Sequence, residues 1–278
     1  WDADADGDLD IAVCRFQSGE DFTVAWLENP GWEVHALDNE LNGTHGVATG
    51  DLDGDGADDL VAANVMGAHP KSVAWFAAKT GERGFVAPEE AGDRPHYMDT
   101  GDVDGDGHID VALGAGNGFT LFSGPDWEPT RIDDQRGGTN VIMTDFLGND
   151  KLDILASCGH GTGIFWYSNG DWVRHPVDPE FTDVHALDAG DLDNDGDIDV
   201  VAASFGGYQE NNEDRKRVHW YENTGGGIFQ RHELDVDNEQ ESYSLVIEDV
   251  DGDGARDVVL GGRSSNNIVW YRNLLTNP

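Results

Sequence analysis

The stretch GDLDGDGADDL, Gly50–Leu60, places five aspartates within eleven residues. Ionised carboxylates at this density repel one another, so the segment either stays disordered or holds a cation. Related nine-residue segments occur five more times, about 50 residues apart, which is typical of propeller blades or solenoids. We number these segments loops 1 to 6: Asp2–Asp10, Asp51–Asp59, Asp102–Asp110, Asp145–Asp153, Asp191–Asp199 and Asp249–Asp257.

Each repeat also contains short segments with strand character. A run such as HGVATG (45–50) precedes the loop, and an apolar run such as LVAAN (60–64) follows it. An aromatic run such as SVAWF (72–76) comes next, and an alternating run such as WEVHALD (32–38) ends the unit. These runs are rich in β-branched and aromatic residues and are separated by Gly, Asn, Asp or Pro. They predict strands and turns, and no stretch has helical periodicity.

Four short antiparallel strands in each of six repeats predict an all-β fold, a β-propeller with six visible blades. We expect one propeller domain over residues 1–278, with repeats near 1–50, 51–101, 102–144, 145–190, 191–248 and 249–278. Blade 1 lacks a first strand, and blade 6 ends after its third strand. A seven-bladed propeller with one blade outside this chain therefore stays open as the alternative.

The composition restricts the possible partners. The net charge of −40, from 56 acidic and 16 basic residues, argues against nucleic acid and against anionic membrane surfaces. No apolar run approaches the roughly 18 residues of a membrane-spanning helix, so we expect no membrane insertion. An acid-rich, lysine-poor chain is also typical of proteins from halophiles. The source organism and the oligomeric state stay open.

The loops predict calcium sites. Aspartates at positions 1, 3, 5 and 9 supply the oxygen ligands that Ca²⁺ prefers, and glycine at position 6 allows a sharp turn. Position 7 varies in sequence, so we expect its backbone carbonyl to be the ligand. The predicted metal-binding residues are Asp2, Asp4, Asp6, Asp8 and Asp10; Asp51, Asp53, Asp55, Ala57 and Asp59; Asp102, Asp104, Asp106, His108 and Asp110; Asp191, Asp193, Asp195, Asp197 and Asp199; and Asp249, Asp251, Asp253, Ala255 and Asp257.

Loop 4, Asp145–Asp153, departs from this pattern. Leu147 stands at position 3, Asn149 at position 5 and Lys151 at position 7, so two anionic ligands are lost and a cation is added. We expect loop 4 to be empty or to bind Ca²⁺ weakly. The chain would then hold about five calcium ions.

A second recurrent position lies six residues before loops 2 to 6, where the sequence has His45, His96, Thr139, His185 and Tyr243. A strand of six residues spans about 20 Å, so we expect these side chains at the channel mouth opposite the loops. We expect mainly hydrogen bonds to neighbouring blades. The alternatives are transition-metal binding, and acid–base catalysis by His45, His96, His185 and Tyr243 with Arg94 as a neutralising cation.

The units GDLDGDGADDLVAAN (50–64) and GDLDNDGDIDVVAAS (190–204), with the later segment VHWYEN (218–223), resemble the FG-GAP/VCBS repeat family. That family includes the calcium-binding blades of integrin α-subunit propellers. The resemblance covers essentially the whole chain and implies a β-propeller with Ca²⁺ between the first and second strands. It also implies a secreted or cell-surface protein. It does not determine the activity, because members differ in function.

These observations predict an extracellular or cell-surface, calcium-stabilised binding or adhesion module for a carbohydrate or protein ligand. One alternative is a polysaccharide lyase or related sugar-active enzyme that uses the His/Tyr cluster. Another is a structural subunit of a surface assembly. The sequence leaves open whether the protein is an enzyme.

Overall fold

The computed structural model describes residues 1–16, 21–41, 43–66, 72–86, 93–206, 217–235, 241–263 and 265–275. All regular secondary structure within these ranges is β-strand. The strands form six small antiparallel sheets, which are the six blades of a β-propeller. The all-β propeller fold predicted from the sequence is therefore confirmed.

The first compact unit, Trp1–Arg136, contains blades 1 to 3. Blade 1 consists of β1 (Ile11–Cys14), β2 (Val24–Glu28) and β3 (Glu33–Asp38). Blade 2 consists of β4 (Thr44–Gly50), β5 (Asp59–Asn64), β6 (Val73–Phe76) and β7 (Arg83–Phe85). Blade 3 consists of β8 (Pro95–Gly101), β9 (Asp110–Ala115), β10 (Gly118–Ser123) and β11 (Glu128–Asp133).

The second compact unit, Gly137–Pro278, contains blades 4 to 6. Blade 4 consists of β12 (Val141–Thr144), β13 (Asp153–Ser157), β14 (Thr162–Tyr167) and β15 (Arg174–Thr182). Blade 5 consists of β16 (Val184–Gly190), β17 (Asp199–Ser204), β18 (Val218–Asn223) and β19 (Phe229–Asp235). Blade 6 consists of β20 (Ser242–Glu248), β21 (Asp257–Gly262) and β22 (Asn267–Tyr271).

In blades 2 to 6 the acidic loop joins the first strand to the second strand, and in blade 1 loop 1 precedes β1. In blade 2, Gly50 at the end of β4 pairs with Asp59 at the start of β5. Loop 2 therefore connects the two residues of one cross-strand pair. The same register recurs in blade 5, where Gly190 lies opposite Asp199. Blade 1 has strands two to four and blade 6 has strands one to three.

The second strands are buried, and neighbouring blades within each unit pack against them. Every residue of β5, β9, β13 and β17 is buried. Val61 of blade 2 packs in one cluster with Leu113 of blade 3, and Leu155 of blade 4 packs with Val200 of blade 5. This explains why the sequence of these strands is almost continuously apolar rather than alternating.

A buried carboxylate also links neighbouring blades. Asp38, at the end of β3, accepts a 2.6 Å ion pair from Arg83 in blade 2. Its other oxygen accepts the backbone N–H groups of Glu40 and Leu41, each at 2.7 Å. Asp178 of blade 4 repeats the arrangement, with Arg231 of blade 5 at 3.3 Å. Each carboxylate therefore holds both a turn in its own blade and a side chain of the next blade.

We expect Arg83→Met to lower the free energy of unfolding by about 2 kcal/mol, because it leaves the Asp38 carboxylate buried without its cation. The side chain of Asp38 is only 4% exposed. Arg217→Met is the matched control, since Arg217 is similarly exposed but its partner Glu233 is 43% exposed, so we expect a loss of less than about 1 kcal/mol. Urea denaturation measures both values. Equal losses would contradict the proposed role of the buried carboxylate.

Candidate metal centres and aromatic clusters

Five of the six acidic loops bring three carboxylates together. In loops 2, 3, 5 and 6 the aspartates at positions 1, 3 and 9 place one oxygen each within 4.8 Å of the others. In loop 1 the grouped residues are Asp2, Asp4 and Asp6, at positions 1, 3 and 5. Among the residues that the structure describes, these are the groups of three or more His, Cys, Asp or Glu side chains with that spacing.

Hydrogen bonds from the loop backbone orient these carboxylates. In loop 2 Asp51 accepts the N–H of Gly56 at 3.0 Å, and Asp53 accepts the N–H of Asp55 at 3.0 Å. Asp55 accepts the N–H of Ala57 at 2.9 Å, so the backbone of position 7 also takes part in the turn. The role of the position-7 backbone carbonyl as a metal ligand stays a prediction.

The turn needs a positive φ at two positions. At position 6 the glycine predicted for the sharp turn has φ of 88° in loop 2 and 95° in loop 5. Position 4 is also left-handed, and there loops 1 and 5 have Ala5 and Asn194 with φ of 62° and 61°. Sequence reasoning missed this second position, although glycine occupies it in the other four loops. The left-handed region at position 4 is costly for alanine, so the surrounding hydrogen bonds must stabilise loop 1.

The donor set fits a divalent cation. One oxygen each of Asp51 and Asp191 is buried with no hydrogen-bond donor among the described residues. Burial, together with the charge of nearby Asp53, raises the pKa of Asp59 to about 6. Burial likewise raises the pKa of Asp199 to about 6. Carboxylates crowded in this way are stabilised by a cation, and a set made of oxygen atoms alone matches the ligand preference of Ca²⁺.

The position-9 aspartate has a structural role that the sequence analysis did not assign. In loop 5 one oxygen of Asp199 accepts the N–H of Leu192 at 3.0 Å, and the other accepts the N–H of Asn223 at 2.8 Å. Asn223 in turn donates its side-chain amide to the carbonyl of Ile198 at 3.2 Å. Position 9 therefore ties the loop to the third strand of its blade. The sequence did contain a signal for this structural role. Loop 4 keeps an aspartate at position 9, Asp153, although it has lost metal ligands at other positions.

Loop 4 keeps the same turn without the full set of carboxylates. Asp145 accepts the N–H of Asp150 at 2.7 Å, and Asn149 accepts the N–H of Lys151 at 3.1 Å. Leu147, at position 3, is 41% exposed and offers no ligand atom. Among residues 145–153, all of which are described, no group of three carboxylates forms. Weak or absent Ca²⁺ binding at loop 4 stays a prediction.

The residues six positions before the loops lie near the start of the first strands, at the ends distant from the loops. In the first unit the rings of His45 and His96 are 5.2 Å apart, and Tyr97 and the half-exposed Phe16 also contact His45. Burial lowers the pKa of the His45 imidazole. His96 is only 3% exposed, and its Nδ1 lies 2.7 Å from the carbonyl of Arg94. The two predicted histidines of this unit therefore meet, within an aromatic cluster.

In the second unit a larger cluster forms, which we call the His160 cluster: His160, His185, Phe205, Tyr243 and Arg263. His185 is 1% exposed, and its ring lies 4.9 Å from Tyr243 and 4.8 Å from His160. Phe205 stacks on Tyr243 at 5.3 Å. The Arg263 guanidinium lies 5.1 Å from the Tyr243 ring and donates to the carbonyl of Phe205 at 3.1 Å.

The neutralising cation suggested from the sequence was Arg94, and that role stays a prediction. In the His160 cluster the guanidinium beside Tyr243 belongs to Arg263. Thr139 is fully buried, and its hydroxyl contacts the carbonyls of Ser157 and Val184 and the N–H of Gly159. It therefore links blades 4 and 5. Sequence reasoning missed His160, Phe205 and Arg263 because they follow the second strands, away from the recurrent position.

A cavity of about 320 Å³ lies in the second unit, against blades 5 and 6. Apolar and aromatic side chains form most of it, including Leu192, Trp220 and Tyr271. The guanidinium groups of Arg256 and Arg272 also line it. Cations are scarce in this chain, so two of them beside one apolar cavity distinguish this region from the acidic loops.

Comparison with known proteins adds a family and a fold. The FG-GAP-like repeat family matches residues 2–62 and 191–260, which contain loops 1, 2, 5 and 6. An Agrocybe aegerita lectin, described as recognising non-reducing terminal N-acetylglucosamine, is 16% identical with a TM-score of 0.59, over 100% of this chain and 77% of the lectin. A chain of the nidogen/laminin complex is 9% identical with a TM-score of 0.59, over 96% of this chain and 90% of that chain.

A third structure is the extracellular domain of a one-component system from B. thetaiotaomicron. It is 10% identical with a TM-score of 0.58, over 94% of this chain but only 31% of that one. At these identities the likeness concerns the fold. No curated protein matches the chain. Among the described residues, no helix is long and apolar enough to cross a membrane.

We expect Asp153→Ala to lower the free energy of unfolding by about 2 kcal/mol in EDTA, because it leaves the backbone N–H groups of Phe146 and Asn169 without their acceptor. Chelator excludes any contribution from metal. Lys151→Ala, in the same loop but exposed, should change stability by less than about 0.5 kcal/mol. If urea denaturation shows the same free energy of unfolding for Asp153→Ala and for the unmodified protein, position 9 has no structural role.

Proposed function

Because the chain belongs to the FG-GAP-like repeat β-propellers, we propose that it is an extracellular or cell-surface, calcium-stabilised module that binds a carbohydrate or protein ligand. The observation that carries this proposal is the five groups of three carboxylates within the loops. FG-GAP repeats are typical of extracellular proteins, where Ca²⁺ concentrations are high enough to fill sites of moderate affinity.

The calcium part of the proposal rests on charge and geometry. Each grouped loop offers carboxylates held by its own backbone, so the ligands need little rearrangement when a cation binds. The buried oxygens of Asp51 and Asp191 need a cation or a donor, because an unpaired buried carboxylate oxygen is costly. Bound calcium would stabilise the connection between the first and second strands of each of these blades, so the ion acts on the fold.

The ligand-binding part rests on the His160 cluster. His160 and Arg263 are exposed and Tyr243 is half-buried, so three different side chains at one end of the blades reach the surface together. Aromatic rings stack on the apolar faces of sugars or on partner side chains, and a guanidinium donates hydrogen bonds to their oxygens. Propellers of similar fold include the N-acetylglucosamine-recognising lectin and the nidogen/laminin chain, which agrees with a binding role.

A polysaccharide lyase is the second candidate. Two contacts favour it: Tyr243 lies near both the His185 imidazole and the Arg263 guanidinium, so a proton donor, an imidazole and a neutralising cation meet. The burial of His185 weighs against it, because a base must reach the substrate proton. We therefore place the binding module first.

We expect EDTA to lower the melting temperature by several degrees, because each site filled at 100 times its Kd adds about 2.7 kcal/mol of stability. Asp191→Ala should lose one bound calcium and Asp145→Ala none, as measured by isothermal titration calorimetry of protein stripped of metal. The calcium proposal fails if EDTA leaves the melting temperature unchanged. Equal losses in the two variants would refute the distinction between loops 4 and 5.

We expect the protein to bind members of a glycan panel that includes acidic polysaccharides, and His160→Ala to weaken that binding roughly five- to tenfold through loss of one stacked ring. The control is His232→Ala, whose ring stacks on Trp220 outside the His160 cluster. Tyr243→Phe keeps the ring and removes the hydroxyl. If the protein binds a glycan and forms no unsaturated product, it is a binding module. If it forms an unsaturated product and Tyr243→Phe abolishes that product, it is a lyase. If His160→Ala leaves glycan binding intact, the His160 cluster is not the binding site.

A further inference from the structure

One residue at the end of the third strand is held beside the acidic loop of its own blade. It immediately precedes an asparagine whose backbone N–H donates to the position-9 aspartate. In blade 5 this bond joins Asn223 to Asp199 at 2.8 Å, and in blade 6 it joins Asn273 to Asp257 at 2.7 Å. The preceding residues are Glu28 in blade 1, Ser168 in blade 4, Glu222 in blade 5 and Arg272 in blade 6. This position therefore differs in charge from blade to blade.

In blade 6 the charge is positive and is directed at the loop. Nε of Arg272 lies 2.6 Å from a carboxylate oxygen of Asp251, and another guanidinium nitrogen lies 3.2 Å from Asp253. These aspartates are positions 3 and 5 of loop 6. The charge of Asp251 raises the pKa of the Arg272 guanidinium further. A cation from the end of the third strand therefore already pairs with two of the proposed ligands of loop 6.

In blade 5 the charge at this position is negative. Glu222 lies among the carboxylates whose charge raises the pKa of Asp193, position 3 of loop 5, although burial of Asp193 contributes most. His232 holds Glu222 in place at 2.7 Å, and its ring stacks on Trp220 at 4.6 Å. Blade 1 has the same arrangement, with His35 2.7 Å from Glu28 and stacked on Trp26.

We propose that Arg272 lowers the calcium affinity of loop 6 below that of loop 5, which has Glu222 at the same position. The inference rests on the proposed calcium sites. A calcium ion entering loop 6 must displace the guanidinium from Asp251 and Asp253, or share those carboxylates with it. A calcium ion entering loop 5 meets an added negative charge instead. Two charges on calcium and one on arginine, a few ångströms apart at a hydrated surface, correspond to about a tenfold difference in affinity.

The amide signals of Gly196 and Gly254 report on the two loops separately. These glycines are position 6 of loops 5 and 6, and their N–H groups donate to Asp191 at 3.1 Å and to Asp249 at 2.9 Å. We would titrate CaCl₂ into metal-free, ¹⁵N-labelled full chain and follow both signals by NMR. We expect the midpoint for Gly254 to lie at about tenfold higher calcium than the midpoint for Gly196.

Arg272→Ser gives blade 6 the residue that blade 4 has at this position. We expect it to lower the Gly254 midpoint about tenfold and to leave the Gly196 midpoint unchanged. Arg217→Ser is the control, because Arg217 is also partly exposed but pairs with Glu233 at 2.7 Å, outside the acidic loops. It should move the Gly254 midpoint by less than about twofold, since exposed charges are screened.

The outcomes separate this inference from the calcium proposal. If neither glycine responds to calcium, the proposed calcium sites fail and this inference fails with them. The inference alone is overturned if Gly196 responds but Gly254 titrates at the same or a lower calcium concentration. It is also overturned if Arg272→Ser leaves the Gly254 midpoint unchanged, or if Arg217→Ser moves that midpoint as far as Arg272→Ser does. Melting curves of both variants verify that they are folded.

Discussion

The hydrogen bonds of the position-9 carboxylate are the constraint on which each blade depends. This aspartate accepts the N–H of position 2 of its loop, and in five blades it also accepts an N–H at the end of the third strand. One buried side chain thus fixes three parts of the blade relative to one another. Because these bonds are made inside the blade, the acidic loop can hold its turn even where the other ligand positions have changed, as in loop 4.

Crowded negative charge is the second constraint, and several features of the chain offset the repulsion between its carboxylates. Backbone N–H groups orient the aspartates of each loop, and the grouped oxygens favour a divalent cation. In blade 6 an arginine of the same blade also pairs with the loop. Between blades, Arg83 and Arg231 pair with the buried carboxylates of Asp38 and Asp178. These three arginines therefore lie where a carboxylate would otherwise be buried or crowded without a partner.

The sequence predicted the fold class and the positions of the loops, because these follow from local periodicity and turn chemistry. It also predicted the recurrent residues six positions upstream. It did not predict which of them would meet: His45 contacts His96, and His185 contacts Tyr243. Arg263 was missed, because proximity along the chain says little about contacts between blades. The depth of burial of His185 depends in the same way on Phe205 and His160 of other strands.

By itself, the sequence determined that repeated Asp–Gly loops alternate with short strands, since the spacing of ligand oxygens and glycines is a local property of nine consecutive residues. Only the tertiary structure decided which charge stands beside each loop. Glu222 and Arg272 occupy the same place in their repeats, yet neither is near its loop in sequence. Antiparallel pairing of the second and third strands brings them there, because each hydrogen bond from the following asparagine to position 9 fixes that register.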